Sequence, residues 1–181
     1  GYRKTARLMK MAEDFELPLI SFIDTPGAYP GIESEERGMS EAIAKNLSLL
    51  SNLKTPVIVI ITGEGGSGGA LAIGIGDHVC MLEHSIYAVA SPEACASIVW
   101  RDGSKAKDAA EAMKVDASNL QNLGLVDEVI EEPLGGAHRD IRGVSNSISQ
   151  VIEKKLLSFD EVDISDLLKK RYEKIMSYGS I

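Results

Sequence analysis

The chain has 181 residues, of which 44% are hydrophobic, so it can bury one substantial core. Its formal net charge of −8 argues against a nucleic acid as partner, and no apolar run reaches the length needed to span a membrane. The two cysteines, Cys80 and Cys95, give neither a disulfide framework nor the paired spacing of a zinc site, so we predict no metal site.

The hydrophobic pattern predicts helices and strands that alternate along the chain, as in an α/β protein. In chain order, we predict a helix over 2–15, a strand over 19–23, a helix over 40–53, a strand over 57–61, a short helix from 70, strands over 79–82 and 86–89, a helix from 91, short helices over 105–113 and 119–123, a strand over 126–130, and helices over 140–157 and 165–176. The buried side of the last helix is predicted to contain Leu168, Tyr172, Ile175 and Met176. No linker divides the sequence, so we expect a single domain over 1–181.

A glycine-rich segment, residues 63–69 (GEGGSGG), lies between a predicted strand and the small apolar residues that open the next helix. Glycine lets another molecule approach the backbone closely, and the first N–H groups of a helix have no partner within it. The helix dipole adds partial positive charge at the same place. The segment therefore predicts a cluster of N–H donors that suits an anion, either a phosphate or the oxyanion of a reacting carbonyl.

Two known motifs match this segment and predict different functions. The dinucleotide-binding pattern GxGxxG fits, with Glu83 about twenty residues further on, but the glycine-interrupted helix that follows is too short for a crossover helix. The nucleophile elbow GxSxG of serine hydrolases also fits, with Ser67 as the nucleophile and Asp127 and His138 downstream. A nucleoside-triphosphate loop is excluded, because Gly69 stands where that motif requires lysine.

Three histidines could supply the base that a serine hydrolase needs. His78 and His84 flank an apolar strand, where we expect solvated side chains. His138 lies in a loop before a helix, where we expect capping or a local hydrogen bond. A serine hydrolase with Ser67 as nucleophile stays the alternative function.

A second glycine turn, containing Gly27 and Ala28, follows the first predicted strand, just as Gly68 and Gly69 follow the second. Two parallel strands joined by a helical crossover bring such turns to the same edge of a sheet. Ligands of open α/β sheets bind beyond the carboxyl ends of the strands. We therefore predict that N–H groups from both turns converge on one oxygen atom.

Five segments that contain glycine or proline carry a resemblance to a known family. They are 24–31 (DTPGAYPG), 63–74 (GEGGSGGALAIG), 91–98 (SPEACASI), 132–139 (EPLGGAHR) and 176–179 (MSYG). In this order they closely resemble the carboxyltransferase α subunit of the multisubunit acetyl-CoA carboxylase of bacteria and plastids. The resemblance implies a crotonase-like (ClpP/crotonase) α/β fold, a superhelix of ββα units in which helices from about 140 complete the domain. The chain begins at Gly1, so we expect it to lack the family's N-terminal region.

The resemblance also implies an activity, which is transfer of a carboxyl group from carboxybiotin to acetyl-CoA to give malonyl-CoA for fatty-acid synthesis. A biotin carboxyl carrier protein would present the carboxybiotin, and no cofactor would be bound covalently to this chain. The implied partners are a zinc-containing β subunit, in an α2β2 assembly, and biotin carboxylase. The implied compartment is the cytoplasm, in preference to a plastid stroma.

Site residues follow from the match to the family motifs. Gly68 and Gly69 would be the catalytic residues, whose N–H groups donate to the ureido oxygen of biotin. The predicted substrate-binding residues are Gly27, Ala28, Gly65 and Gly66. The candidates for binding CoA phosphates are the basic residues of the first helix, Arg3, Lys4, Arg7 and Lys10. We expect a side chain added at Gly68 or Gly69 to block catalysis while the fold is kept.

Overall fold

A computed structural model describes residues 1–179 of the chain. The helices are α1 (Tyr2–Asp14), α2 (Ile32–Glu36), α3 (Met39–Asn52), α4 (Ser67–Leu71), α5 (Pro92–Trp100), α6 (Ala106–Met113), α7 (Ala117–Asn122), α8 (Ile141–Phe159) and α9 (Ile164–Ser177). The strands are β1 (Leu19–Thr25), β2 (Val57–Gly66), β3 (His78–Leu82), β4 (Ile86–Ala88) and β5 (Glu128–Ile130). Among the described residues, no helix combines the length and apolar character needed to cross a bilayer.

Most elements lie within a few residues of their predicted positions, but the glycine-rich segment differs. β2 continues to Gly66, so residues 63–66 form a strand where the sequence pattern predicts a turn. Pairing with β4 explains the difference, because the backbone of Gly65 and Gly66 lies opposite Tyr87 and Ala88. α4 accordingly begins at Ser67 rather than at residue 70.

The strands form a parallel sheet in the order β1-β2-β3-β5. Its centre is the first half of β2, residues 57–61, where every side chain is fully buried. A strand with helices on both faces reads as a continuous apolar run, which is the pattern that predicts this strand. The carboxyl ends of β1 and β2 therefore lie side by side at one edge of the sheet.

Beyond residue 61, β2 exchanges its neighbour β3 for β4, which is the fifth strand of the sheet. Glu64 pairs with Ile86 of β4, and Thr25 at the end of β1 lies opposite Gly65. β3, β4 and α5 follow one another along the chain, which gives the ββα succession expected from the resemblance.

Two apolar clusters cover the faces of the sheet. On one face, Val57, Val59 and Ile61 pack with Met9 of α1 and Leu50 of α3. On the other face, the alternate β2 residues and Cys80 of β3 pack with α8 through Val144. The period-2 alternation of β2 thus supplies both clusters from one strand.

α9 is fixed to the core by Arg171, which is 1% exposed. Its guanidinium pairs with Asp77 at 2.6 Å and donates to the carbonyl oxygens of Leu50, Leu53 and Thr55. The prediction for the buried side of this helix is therefore partly wrong. Leu167 and Arg171 are the buried residues of α9, while Tyr172 and Met176 are 64% and 60% exposed.

Candidate active site

The two glycine turns lie in contact at the carboxyl ends of β1 and β2. A Cβ atom at Gly69 would lie 2.6 Å from the carbonyl carbon of Gly27 and 2.7 Å from the amide nitrogen of Ala28. Gly27 itself has φ of +137°, a conformation that side-chain-bearing residues rarely adopt. Glycine at position 69 is therefore needed for one turn to pack on the other.

Gly65 and Gly66 also have packing reasons to be glycine. A Cβ atom at Gly65 would lie 2.7 Å from the ring of Tyr87, and one at Gly66 would lie 2.1 Å from the carbonyl oxygen of Pro26. Neither distance is compatible with a side chain unless the backbone or ring moves. The structure thus places these two predicted substrate-binding residues in the framework beneath the turns.

Gly68 differs from the other glycines of the segment because it faces open space. The nearest atom to a Cβ there would be Cδ1 of Ile43, at the ordinary contact distance of 3.7 Å. Gly68 lines a cavity of about 380 Å³, whose walls include Leu71, Val89 and Tyr178. Its absent side chain leaves room for a ligand rather than for another part of this chain.

Among the described residues, the backbone N–H of Ala28 has no acceptor. The N–H groups of Gly68 and Gly69 have no acceptor within their own helix, because they lie in its first turn. The N–H of Gly27 is already engaged, because it donates to Oγ1 of Thr25 at 3.3 Å. Gly68 and Gly69 are in the first turn of α4, where a helix has free donors and partial positive charge. The arrangement can therefore stabilise negative charge on an oxygen atom without a titrating side chain.

The cavity beside Gly68 is mostly apolar, and among the described residues no Lys, Arg, Asp or Glu lines it. Two phenols, those of Tyr87 and Tyr178, line it. Burial raises the pKa of Tyr178 to about 12 and also raises the pKa of Tyr87. Both phenols are therefore protonated near neutral pH, so they can donate hydrogen bonds. Tyr178 lies in the segment MSYG, whose pattern predicts no role for it in the site.

The residues of the alternative hydrolase triad are not assembled. Ser67 has φ of +49° and lines the apolar cavity, whereas His138 lines a separate cavity of about 560 Å³. A carboxylate oxygen of Asp127 accepts from the N–H of Val79 at 2.7 Å and also pairs with Lys174. Asp127 therefore has other partners than the base of a Ser67 nucleophile.

The histidines depart from two expectations. His78 is buried rather than solvated, because its Nε2 lies 3.1 Å from a carboxylate oxygen of Glu128 on β5. His84 is exposed, as expected. His138 lies just before α8, but the side chain that caps this helix is Asp140, which accepts from the N–H of Gly143. Of the two roles expected for His138, capping or a local hydrogen bond, Asp140 takes the capping of α8.

Glu83, the residue that a dinucleotide site would require, has a local partner instead. Its carboxylate accepts from the N–H of Glu132 at 3.1 Å. The helix after the glycines, α4, has only five residues. Both observations disfavour dinucleotide binding.

Comparisons with known proteins identify the family of the chain. The family model described as acetyl co-enzyme A carboxylase carboxyltransferase-like matches residues 1–179. The acetyl-coenzyme A carboxylase carboxyl transferase subunit alpha of Vibrio cholerae is 58% identical over 179 residues, covering 99% of this chain and 56% of that protein. The protein of the same name from Alcanivorax borkumensis is 56% identical over 181 residues, again covering 56% of its length. The chain thus spans little more than half the length of these relatives.

Solved structures share the fold at lower identity. Transcarboxylase 12S, solved with hydrolysed methylmalonyl-coenzyme A bound, is 24% identical with a TM-score of 0.65, covering 82% of this chain and 29% of that one. A Pseudomonas malonate decarboxylase hetero-tetramer in complex with coenzyme A gives a TM-score of 0.69 at 17% identity, with 92% and 67% covered. These similarities, with the ββα succession of strands and helices, establish the crotonase-like fold.

Proposed function

The chain belongs to the acetyl-CoA carboxylase carboxyltransferase family, and we propose that it acts as the α subunit, which helps to move a carboxyl group from carboxybiotin to acetyl-CoA. The observation that carries this proposal is the pair of turns in contact, which brings together the N–H groups of Ala28, Gly68 and Gly69, with an uncharged cavity beside Gly68. The product would be malonyl-CoA, the precursor for fatty-acid synthesis.

The chemistry explains why such a site needs donors but no general base of its own. Loss of carbon dioxide from carboxybiotin leaves negative charge on the ureido oxygen, the biotin takes the α-proton of the thioester, and the resulting enolate attacks the carbon dioxide. Negative charge thus develops on oxygen atoms while the site must stay closed to water. Backbone N–H groups stabilise this charge at any pH, and the loss of one such donor costs about 2.7–4 kcal/mol in comparable sites.

Each glycine-turn residue of this chain would have its own role in the site. The N–H groups of Gly68 and Gly69 donate to the ureido oxygen, because both lie in the first turn of α4, where N–H groups have no partner within the helix. Ala28 supplies a further free donor from the facing turn. Gly27 shapes that turn, since its own N–H is taken by Thr25. Gly65 and Gly66 hold β2 against the turn rather than contacting substrate.

The proposed partners rest on the family and on the lack of described basic side chains in the cavity beside Gly68. A zinc-containing β subunit would hold most of the CoA thioester in an α2β2 assembly, because no described Lys or Arg lines the cavity beside Gly68. Phosphates of CoA need such cations. The biotin carboxyl carrier protein would present carboxybiotin after its formation by biotin carboxylase, in the cytoplasm. Residues 1–181 would form one carboxyltransferase domain that the helices from about 140 complete.

The basic residues of α1 are weak candidates for the CoA phosphates. Lys10 pairs with Glu13 at 2.6 Å, and the guanidinium of Arg3 donates to the carbonyl oxygen of Arg37. These local partners occupy much of the basic face. The β subunit is therefore the expected source of phosphate-binding cations.

An exchange assay tests the proposal. Carboxyl transfer from malonyl-CoA to a free biotin derivative, the reverse reaction, is measured with the chain alone, with a zinc-bearing β subunit alone, and with both together. We expect transfer only in the mixture. Robust transfer by this chain alone would contradict the proposal that the β subunit holds the CoA thioester. Absence of transfer in a stable mixed complex would contradict the function.

A further inference from the structure

A second cluster of chemically active side chains lies at the opposite edge of the sheet from the glycine turns. His78 and Cys80 are two residues apart on β3, so their side chains project to the same face. Glu128 opens β5 and lies opposite Cys80 in the parallel register. The imidazole nitrogen, the thiol sulfur and the carboxylate oxygen all lie within 4.8 Å of one another.

We propose that His78, Cys80 and Glu128 form a binding site for a zinc-class divalent ion, which joins β3 to β5. Imidazole nitrogen, thiolate sulfur and carboxylate oxygen are the ligands that zinc takes in proteins. The proposal assigns the site to stability of the sheet and not to carboxyl transfer, because the site lies at the amino ends of the strands.

The distances fit a tetrahedral ion after small movements. Ligand atoms about 2.0–2.3 Å from a tetrahedral zinc lie roughly 3.3–3.8 Å from one another. His78 Nε2 and Glu128 Oε2 are 3.1 Å apart, slightly less than this, and the whole set spans no more than 4.8 Å. The Glu128 side chain is 30% exposed, so it can rotate to admit the ion and leaves an open side for a water as fourth ligand.

The pKa shifts of the two buried ligands have opposite effects on metal binding: the shift of His78 favours it, and the shift of Cys80 opposes it. Burial, together with the charge of Lys155, lowers the pKa of His78, which favours the neutral imidazole that binds a metal ion. Burial raises the pKa of the Cys80 thiol to about 12, so the ion must displace a proton there. Metal ions do this readily because the thiolate is a far stronger ligand than the thiol.

An outer carboxylate is also in place. Nδ1 of His78, the ring nitrogen that faces away from Glu128, lies 3.7 Å from a carboxylate oxygen of Asp127. Metal-binding histidines commonly donate their second N–H to such a group, which fixes the ring and strengthens the ligand. Asp127 is itself held by the N–H of Val79 and by Lys174.

Cobalt titration of the full chain tests the site. The protein is stripped with a chelator and titrated with Co²⁺, whose bond to a thiolate gives a charge-transfer band in the near ultraviolet. We expect one saturable ion per chain, the thiolate band, visible bands of tetrahedral strength and displacement by Zn²⁺. Cys95→Ser is the matched control and should keep the band, whereas Cys80→Ser should lose it.

A second variant covers the case in which Cys80→Ser does not fold, as judged by circular dichroism. Glu128→Gln removes a partly exposed ligand, so the variant should fold and keep the thiolate band. It should bind the metal ion at least ~10-fold more weakly, since losing even an outer partner of a metal ligand costs about that much in affinity. Zn²⁺ should raise the melting temperature of the unaltered chain more than that of Glu128→Gln. No saturable thiolate band, a band that survives in folded Cys80→Ser, or unchanged affinity in Glu128→Gln would each overturn the site.

Discussion

Packing and proposed chemistry can be separated at two adjacent glycines. Gly68→Val puts its side chain into the cavity, where the nearest atom to its Cβ is 3.7 Å away. We expect it to fold but to lower turnover at least ~100-fold, the scale of one lost oxyanion donor. Gly69→Val brings its Cβ to 2.6 Å from the backbone of Gly27, so we expect a lower melting temperature as well as lost transfer. The measurements are the exchange assay and thermal unfolding in the complex with the β subunit.

Ser67→Ala is the control for these variants. The hydroxyl of Ser67 has no role in the proposed chemistry. Ser67→Ala should therefore lose far less transfer activity than the roughly 100-fold loss expected of Gly68→Val. A serine hydrolase would show the reverse order, with Ser67→Ala inactive and a fluorophosphonate label on the unaltered residue. If Ser67→Ala abolishes transfer in a folded complex, the mechanism that uses only backbone donors is wrong.

The candidate site could be placed from sequence because its signal is local. A β-branched run, then glycines, then small apolar residues predicts a strand, free donors and a helix wherever the rest of the chain lies. The reason for each glycine could not be predicted in this way. Gly65 makes room for Tyr87 and Gly69 for Gly27, and both contacts depend on pairings between distant segments. For the glycine-rich segment 63–69, the sequence therefore predicts four similar substrate-binding or catalytic glycines, of which the structure shows only Gly68 facing open space.

Arg171 is the residue by which an element, α9, is attached to the fold. Arg171→Leu would leave the Asp77 carboxylate buried without a cation and three carbonyl oxygens without a donor. We expect a loss of about 3–5 kcal/mol in the free energy of unfolding, as for other broken buried pairs. Urea denaturation measures it, and Lys170→Leu is the matched control because Lys170 is exposed and makes no ion pair among the described residues.

The ion pair between Arg171 and Asp77 predicts that substitutions of the two residues have non-additive effects on stability. The combination of Arg171→Leu with Asp77→Asn should cost less than the sum of the two single changes, because the second change removes the unpaired charge left by the first. A loss under about 1 kcal/mol for Arg171→Leu, the range of exposed ion pairs, would show that this residue does not anchor α9.

Periodicity predicts that α9 exists but not which side of it faces the core. The apolar residues Leu168, Tyr172 and Ile175 define one side, and the structure turns the helix so that Leu167 and Arg171 are buried instead. The cause is the set of partners of Arg171, which lie at least 94 residues earlier in the chain. The expectation that His78 is solvated fails for the same reason, since its partner Glu128 lies 50 residues later in the chain.

At the scale of the whole molecule, the proposed function would give the described surface one half of a transfer site. The turns would supply oxyanion donors, yet no described cation lines the cavity beside Gly68, and the charge of the chain is −8. A polyanionic thioester such as acetyl-CoA therefore needs a second surface with the opposite charge. This incompleteness agrees with a family whose relatives are named as a subunit.

Assembly is accordingly the last prediction. Mixed with a homologous zinc-bearing β subunit, the chain should form a complex with two copies of each subunit, measured by light scattering coupled to size exclusion. The same samples should gain exchange activity only in the fractions that contain both subunits, because only there do donors and phosphate-binding cations meet. High salt during the assay should raise the apparent KM for malonyl-CoA, since the cations act on its phosphates. A chain that remains apart from the β subunit, or that shows full activity in fractions without it, would contradict the shared site.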